Sequence, residues 1–280
     1  MAKRKHIALV CPGGRIEKSL ADKVDQIAAD FEDALALTFH PQCFLEAGHF
    51  AGPDEMREEA FVEVANNPAI DAVWFARGGY GACRFSDRAF TALSDAAREK
   101  TYLGYSDAGF LLGRLYREGI GRPVHGPMPA DFAWDNGEAA VRRALAWFAY
   151  GAHECLEPAA ASGEKTLSFN ITVLAHLVGT PWTPDFSDHV LMLEDVGEYL
   201  YRIDRAMFAI TSDESVRRAK GIRLGRVSAV PENDRPFGQN AKEIITDWCE
   251  RAGIAYLGPS DIGHDADNKV APFGLAAPSA

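Results

Sequence analysis

Ser106 stands in the run Leu103-Gly104-Tyr105-Ser106-Asp107-Ala108-Gly109, after a strand-like segment and before the helix-like Phe110-Leu111-Leu112-Gly113-Arg114-Leu115-Tyr116. A serine at a strand-to-helix turn, flanked by small residues, is in the setting of a nucleophile elbow. Its hydroxyl would stand at the carboxyl edge of a sheet, where open α/β folds keep their sites. The next helix would offer N–H groups and a partial positive charge to an oxyanion. Gly-x-Ser-x-Ala departs from Gly-x-Ser-x-Gly, and the same serine could simply cap the helix.

Two further segments could complete such a site. Leu193-Glu194-Asp195-Val196-Gly197-Glu198 puts three acids at the end of an apolar strand. By alternation Glu194 and Asp195 take opposite faces, and one acid there could orient a histidine. The other reading is a solvated acidic turn paired with Arg202 or Arg205. Ile262-Gly263-His264-Asp265 sets a histidine in a glycine-rich loop, free to act as a base or to be a surface residue. The order Ser106, Glu194, His264 also occurs in α/β hydrolases. Arg77-Gly78-Gly79-Tyr80-Gly81 follows a strand directly, and its glycines would let a ligand approach the backbone. The spacing lacks the third glycine of a dinucleotide fingerprint, so it is otherwise a tight βα turn. Backbone N–H groups of Gly79 and Asp107 are the candidates for an oxyanion hole. Arg77, Gly78 and Tyr80 are candidates for substrate binding, and Arg84, Arg202 and Arg205 are further cations near these turns.

The elements that must position these residues alternate in the first half. Strands are expected at Ile7 to Cys11, Ala36 to Phe39, Ala72 to Ala76 and Tyr102 to Tyr105. Helices are expected at Lys18 to Ala36, at Pro53 to Asn66 and from about Ser86. That pattern implies a parallel sheet with right-handed crossovers. Pro123 to Pro129 reads as a stiff turn, and Glu138 to Tyr150 as a helix. Glu157 to Lys165, rich in Ala, Pro, Ser and Gly, reads as a linker. Strands at His189 to Leu193 and Gly221 to Val230 follow, with helices near Arg202 to Ile210 and Ala241 to Ala252, then a glycine-rich tail. The expected domains are 1–130, an α/β nucleophile domain; 131–160, a connecting helix and linker; and 161–280, carrying the acid and the base.

The chain has 280 residues, 47% of them hydrophobic and 25% charged, the balance of a soluble globular protein. A net charge of −11 argues against nucleic acid and against an anionic membrane surface. Five scattered cysteines without a Cys-x-x-Cys suit a reducing compartment, the cytoplasm, and no zinc knuckle. The apolar run after the basic start is too short for a signal peptide, and no run approaches a membrane span. No His, Cys or acidic spacing calls for a metal, and no cofactor is expected.

Together these segments resemble the LD-carboxypeptidase family of serine peptidases, which includes the microcin immunity peptidases. The resemblance covers nearly the whole chain. It rests on Val10-Cys11-Pro12-Gly13-Gly14, Arg77-Gly78-Gly79-Tyr80-Gly81, Gly104-Tyr105-Ser106-Asp107, His125-Gly126-Pro127-Met128, Asn170 through Gly179-Thr180-Pro181, Leu193-Glu194-Asp195-Val196-Gly197-Glu198 with Tyr201-Arg202-Ile203-Asp204-Arg205, and Gly263-His264.

It implies an α/β fold. A flavodoxin-like parallel-sheet domain is joined to a smaller mixed α/β or β-rich domain, with the site in the cleft between them. It implies a triad of Ser106, Glu194 and His264, and adds Asn170 to the substrate-binding candidates. The implied substrate is a murein tetrapeptide losing its terminal D-alanine, with homodimerisation left open. The family often has Gly-Gly-Asn where this chain has Ser168-Phe169-Asn170, and that bulk is expected to reshape the pocket. The segment from Tyr150 to Asn170 is short and lacks the tryptophan of microcin-type members, which favours the murein reading. The alternatives are an α/β-hydrolase esterase with one large mixed sheet, and a non-catalytic muropeptide-binding module.

Overall fold

The apolar run Ile7 to Cys11 is buried along its whole length, as a strand covered on both faces must be. In the computed structural model, which describes residues 4–276, it lies one strand in from the edge of a six-stranded sheet. Residues 1–3 and 277–280, at the ends of the two expected domains, lie outside the described residues.

The first half alternates as β1 (Lys5–Val10), α1 (Lys18–Ala28), β2 (Leu35–Phe39), α2 (Asp54–Asn66), β3 (Ala72–Phe75), α3 (Asp87–Thr91), α4 (Asp95–Arg98), β4 (Thr101–Gly104), α5 (Gly109–Arg117) and β5 (Arg122–His125). Then come α6 (Gly137–Tyr150) and the short α7 (Pro158–Ala161). The second half runs β6 (Thr166–Asn170), α8 (Ile171–Leu177), β7 (Val190–Val196), α9 (Leu200–Ser212), α10 (Glu214–Arg217), β8 (Gly221–Ser228), α11 (Ala241–Ala252), β9 (Tyr256–Pro259) and β10 (Ala271–Pro272).

The first sheet has the order β10-β5-β4-β3-β1-β2 and is parallel except for β10. α1 and α6 pack on one face, α2 and α5 on the other. The second sheet, β6-β7-β8-β9, is parallel throughout, so this half is α/β and not β-rich. Two separate sheets also differ from the single large sheet of the esterase alternative. Among the described residues no helix is long and apolar enough to cross a membrane.

Several local readings shift. The helix expected to run to Ala36 ends at Ala28 and passes through a single tighter turn, Ala29–Phe31. Asp30, Glu32 and Asp33 crowd that end, where the helix dipole disfavours acids. The helix expected from Ser86 is two short ones. Asn66 stops the first by donating to the Ala92 carbonyl and seats the second by accepting from Ser94 N–H. Pro123 lies in a strand, not a turn, because β5 meets only the two-residue β10 on its outer side. The stretch 157–165 carries α7, with Ala159 and Ala160 buried and the Glu157 carboxylate accepting from both their N–H groups. The tail returns through β10 to the first sheet.

One contact ties α5 to the second sheet. Gly109 and Gly113 open one face of α5, and Phe169 of β6 fills it with Val173 and Leu177 of α8. A Cβ at Gly113 would come within 2.8 Å of Leu177 Cδ2. Phe169 is 1% exposed and packs on Phe186 and Phe273, so its bulk goes into the core and not into a pocket. Replacing Phe169 with Ala removes this wedge and lowers stability by about 3–5 kcal/mol in denaturant unfolding. Phe208→Ala, at a 57% exposed site, changes it by less than about 0.5 kcal/mol. Equal effects would show that α5 does not depend on this contact.

Candidate active site

Ser106 adopts φ 57°, a left-handed conformation that only glycine takes without cost. The turn lies between β4 and α5 and leaves the residue half-buried. Gly78 comes against it so closely that a Cβ there would stand 3.2 Å from Ser106 Oγ and 3.3 Å from Asp107 N. No other residue type fits that approach without displacing one of the two turns.

The glycine turns interlock. Gly14 N–H donates to Gly78 O at 3.0 Å. Arg57, wholly buried, donates to Pro12 O and to Gly81 O (3.0 Å for the latter) and pairs with Asp54. The Asp107 carboxylate accepts from Ala82 N–H at 2.8 Å, fixing the far end of the second turn. Burial pushes its pKa up to about 6.

Glu194 is fully buried on β7. Between the pairs Leu193↔Leu224 and Asp195↔Val227, β8 uses one more residue than β7, an irregularity that re-aims the strand there. Glu194 Oε2 accepts from His264 Nδ1 at 2.6 Å, which holds the proton on Nδ1 and leaves Nε2 free. Asp195, on the other face, accepts from Asn170 Nδ2, Thr172 N and Oγ1, and its own Val196 N–H.

The His264 loop is tied back through Asn268, whose Oδ1 accepts from Gly263 N and meets His125 Nε2, both at 3.2 Å. The imidazole lies 4.6 Å from the Tyr105 ring and 6.3 Å from Trp134. Tyr105 O–H donates to Asp131 at 2.7 Å. Burial acts to lower the pKa of His264, but the charge and hydrogen bond of Glu194 outweigh it, with Asp131 and Asp195 adding, so the net direction is upward. Burial takes His125 the other way, down to about 4.

Ser106, His264, Arg77, Gly78 and Gly79 line one cavity of about 610 Å³, with Tyr105, Asp131 and Trp134 also in its wall. Ser106 and His264 thus face the same space, with no hydrogen bond between them. Asn170 lies outside this wall, its Oδ1 capping α8 on Val173 N–H and its Nδ2 on Asp195. Tyr80 is also outside it, half-exposed beside His49 and Phe50. Sequence reading missed Tyr105, Asp131, Trp134, His125, Asn268 and Arg57. Tyr105 and His125 lay inside quoted motifs, whereas Arg57 looks like any surface-helix arginine until the fold closes over it.

The molecule is thus an α/β protein with a strained serine and an imidazole facing one cavity, the imidazole backed by a buried carboxylate. Residues 7–126 match the LD-carboxypeptidase N-terminal domain and residues 165–278 the LD-carboxypeptidase C-terminal domain. A Synechocystis sp. protein whose name gives it as a carboxypeptidase is 30% identical over 243 residues, 82% of this chain and 76% of its own. The murein tetrapeptide carboxypeptidase of Pseudomonas aeruginosa is 28% identical over 251 residues, 82% of this chain and 78% of its own. The solved muramoyltetrapeptide carboxypeptidase of Oxalobacter formigenes superposes with a TM-score of 0.75 at 24% identity, over 95% of this chain and 93% of that one. The microcin C7 self-immunity protein does so with a TM-score of 0.72 at 14% identity, over 98% and 97%. The chain belongs to the LD-carboxypeptidase family and is a peptidase.

The two buried histidines should titrate apart. In a pH series followed by histidine NMR, His264 protonates above the ordinary value of 6.5, and His125 only near 4. With its folded pKa depressed, His125 contributes stability that is whole above about pH 6.5 and is lost as pH falls toward about 4. His125→Gln flattens that slope. Co-titration of the two rings would contradict their different environments.

Proposed function

We propose that this chain is a serine carboxypeptidase that releases a terminal D-residue, D-alanine, from LD-linked murein tetrapeptides in the cytoplasm. The observation that carries the reading is the 2.6 Å bond from His264 Nδ1 to buried Glu194, with His264 in the wall of the cavity that Ser106 also lines. Ser106 Oγ attacks the carbonyl of the last peptide bond, and His264 Nε2 takes its proton. The proton passes to the departing amine, leaving an ester on Ser106, and His264 then activates the water that hydrolyses it. Glu194 orients the imidazole and stabilises its charged form. Backbone N–H groups of Gly79 and Asp107 receive the oxyanion, a role worth roughly 3 kcal/mol per donor.

An exopeptidase also needs a partner for the terminal carboxylate, since an unpaired charge in a closed site is expensive. Arg77 suits this role. It lines the cavity and donates only to the Arg15 carbonyl, at 3.0 Å. Arg84 is instead bound to Asp54 and Arg202 to Glu198. The likeness to a murein tetrapeptide carboxypeptidase and to a muramoyltetrapeptide carboxypeptidase supports the substrate class.

Ser106→Ala lowers release of D-alanine from an LD-tetrapeptide by at least about a thousandfold, read by mass spectrometry, while thermal unfolding stays near that of the parent. Activity near the parent level would remove Ser106 from the mechanism. Absence of turnover in the parent, with the peptide still bound, would favour the non-catalytic binding module.

A working base must be neutral, so the acid limb of kcat/KM lies above the ordinary histidine value, in the direction Glu194 pushes His264. Glu194→Gln removes the main part of that push, so burial, which lowers the pKa, counts for more against what Asp131 and Asp195 still add. The acid limb therefore moves to lower pH, while the rate falls by about ten-thousandfold. Glu198→Gln, at a partner of Arg202, leaves both near the parent values. A limb that stays in place in Glu194→Gln would assign it to another group.

A further inference from the structure

The wall of the cavity over Ser106 carries a lysine that the bond-breaking chemistry leaves unused. Its volume of about 610 Å³ falls in the range of about 300–1,000 Å³ typical of sites for whole small-molecule ligands. Space for several residues of a peptide is therefore present beyond the one released. Lys23 of α1 and Phe132 of the segment after β5 line this space. The Lys23 ammonium sits 5.2 Å from the centre of the Phe132 ring, a cation–π contact that gives a long side chain a preferred place.

No carboxylate among the described residues pairs with Lys23. Glu17, in the same cavity wall, is paired with Arg15 at 2.7 Å, and Asp22 of the same helix with Lys18 at 3.6 Å. Lys23 is an exposed residue, and in a chain of net charge −11 its ammonium, on the cavity wall without a counter-charge, favours an anionic group of the ligand. Arg77 comes from the turn against Ser106 and is assigned to the terminal carboxylate. Lys23 comes from a different element, α1, and is the other lysine or arginine of this wall, left for a second anion. Alanine, the released residue, has no second carboxylate, which places that anion on the retained part of the peptide.

We infer that Lys23 is a specificity-determining residue that binds a carboxylate on the acyl portion of the substrate, upstream of the bond that is cut. The inference rests on the carboxypeptidase reading of the same cavity. It defines the preferred substrate as a peptide with two carboxylates, one terminal and one upstream.

The test uses calorimetric binding to the full-length Ser106→Ala protein, with and without Lys23→Met. The probes are two N-acetylated tetrapeptides ending in L-lysyl-D-alanine, identical except that the second residue is glutamate in one and glutamine in the other. The Ser106→Ala protein binds the glutamate peptide about tenfold more tightly, as a charge-assisted contact warrants. That preference falls below about twofold when Lys23→Met is added, and Lys23→Arg restores most of it. The same preference with and without Lys23, or no preference at all, overturns the assignment. Release of D-alanine from both peptides by the unmodified enzyme is followed alongside. Release without a Lys23-dependent preference overturns this inference alone, whereas neither binding nor cleavage of either peptide overturns the carboxypeptidase reading with it.

Discussion

The Tyr105 ring against the His264 imidazole, 4.6 Å between centres, is the contact on which the site depends. Tyr105 immediately precedes Ser106 in the turn that leaves the first sheet, and His264 belongs to the loop after β9 of the second. Each partner is pinned from behind, the phenol by Asp131 and the imidazole by Glu194. Asp131 also accepts from Met128 N–H at 2.9 Å, so the chain that follows β5 is drawn into the same assembly. The relative position of serine and imidazole is therefore set by packed rings and buried hydrogen bonds, with no bond needed between the two side chains. Close-packed side chains have few alternative positions, which makes this a stiff means of alignment.

Burial sorts the acids into roles. Asp107, Asp131 and Asp195 are each pushed up to about 6, first by desolvation, and each accepts from at least one backbone N–H. They act as struts, joining the glycine turn, the Tyr105 turn and the start of α8 to their surroundings. Glu194 differs. One of its oxygens meets His264 and the other, Oε1, is buried without a partner. A carboxylate so poorly satisfied by the backbone leans on the imidazole, which strengthens the coupling between the two. Perturbed groups gathered around one cavity are what a working site requires.

The motifs that could do chemistry were legible from local pattern. A serine between a strand-like and a helix-like run, an acid at a strand end and a histidine in a glycine loop follow from periodicities of two and of 3.6 and from turn chemistry, all properties of neighbours in the chain. The alternation of the first half likewise implied a parallel sheet. Boundaries were less legible where a residue's neighbours were distant. Arg122–His125 is a strand because β4 and β10 pair with it, despite Pro123. The stretch 157–165 is packed because Glu157 caps α7 and because the tail returns beside it.

The sequence by itself therefore determined which residues could be nucleophile, acid and base, and the class of fold that could carry them. Local pattern left Glu194 and Asp195 both open and the family resemblance pointed to Glu194; the tertiary structure sets Glu194 against His264 and decides which groups share the cavity. Glu194 and Asp195 are adjacent in the chain and alike in chemistry. The irregular register with β8 and the burial of the strand turn one to His264 and the other to Asn170 and Thr172. Arg57 binds the glycine turns, Asn170 becomes a helix cap, Phe169 becomes a core wedge, and Lys23 and Trp134 reach the cavity wall. Such outcomes depend on contacts between residues tens of positions apart. Pattern along a chain carries the period of an element, but not which distant side chain will pack against its face.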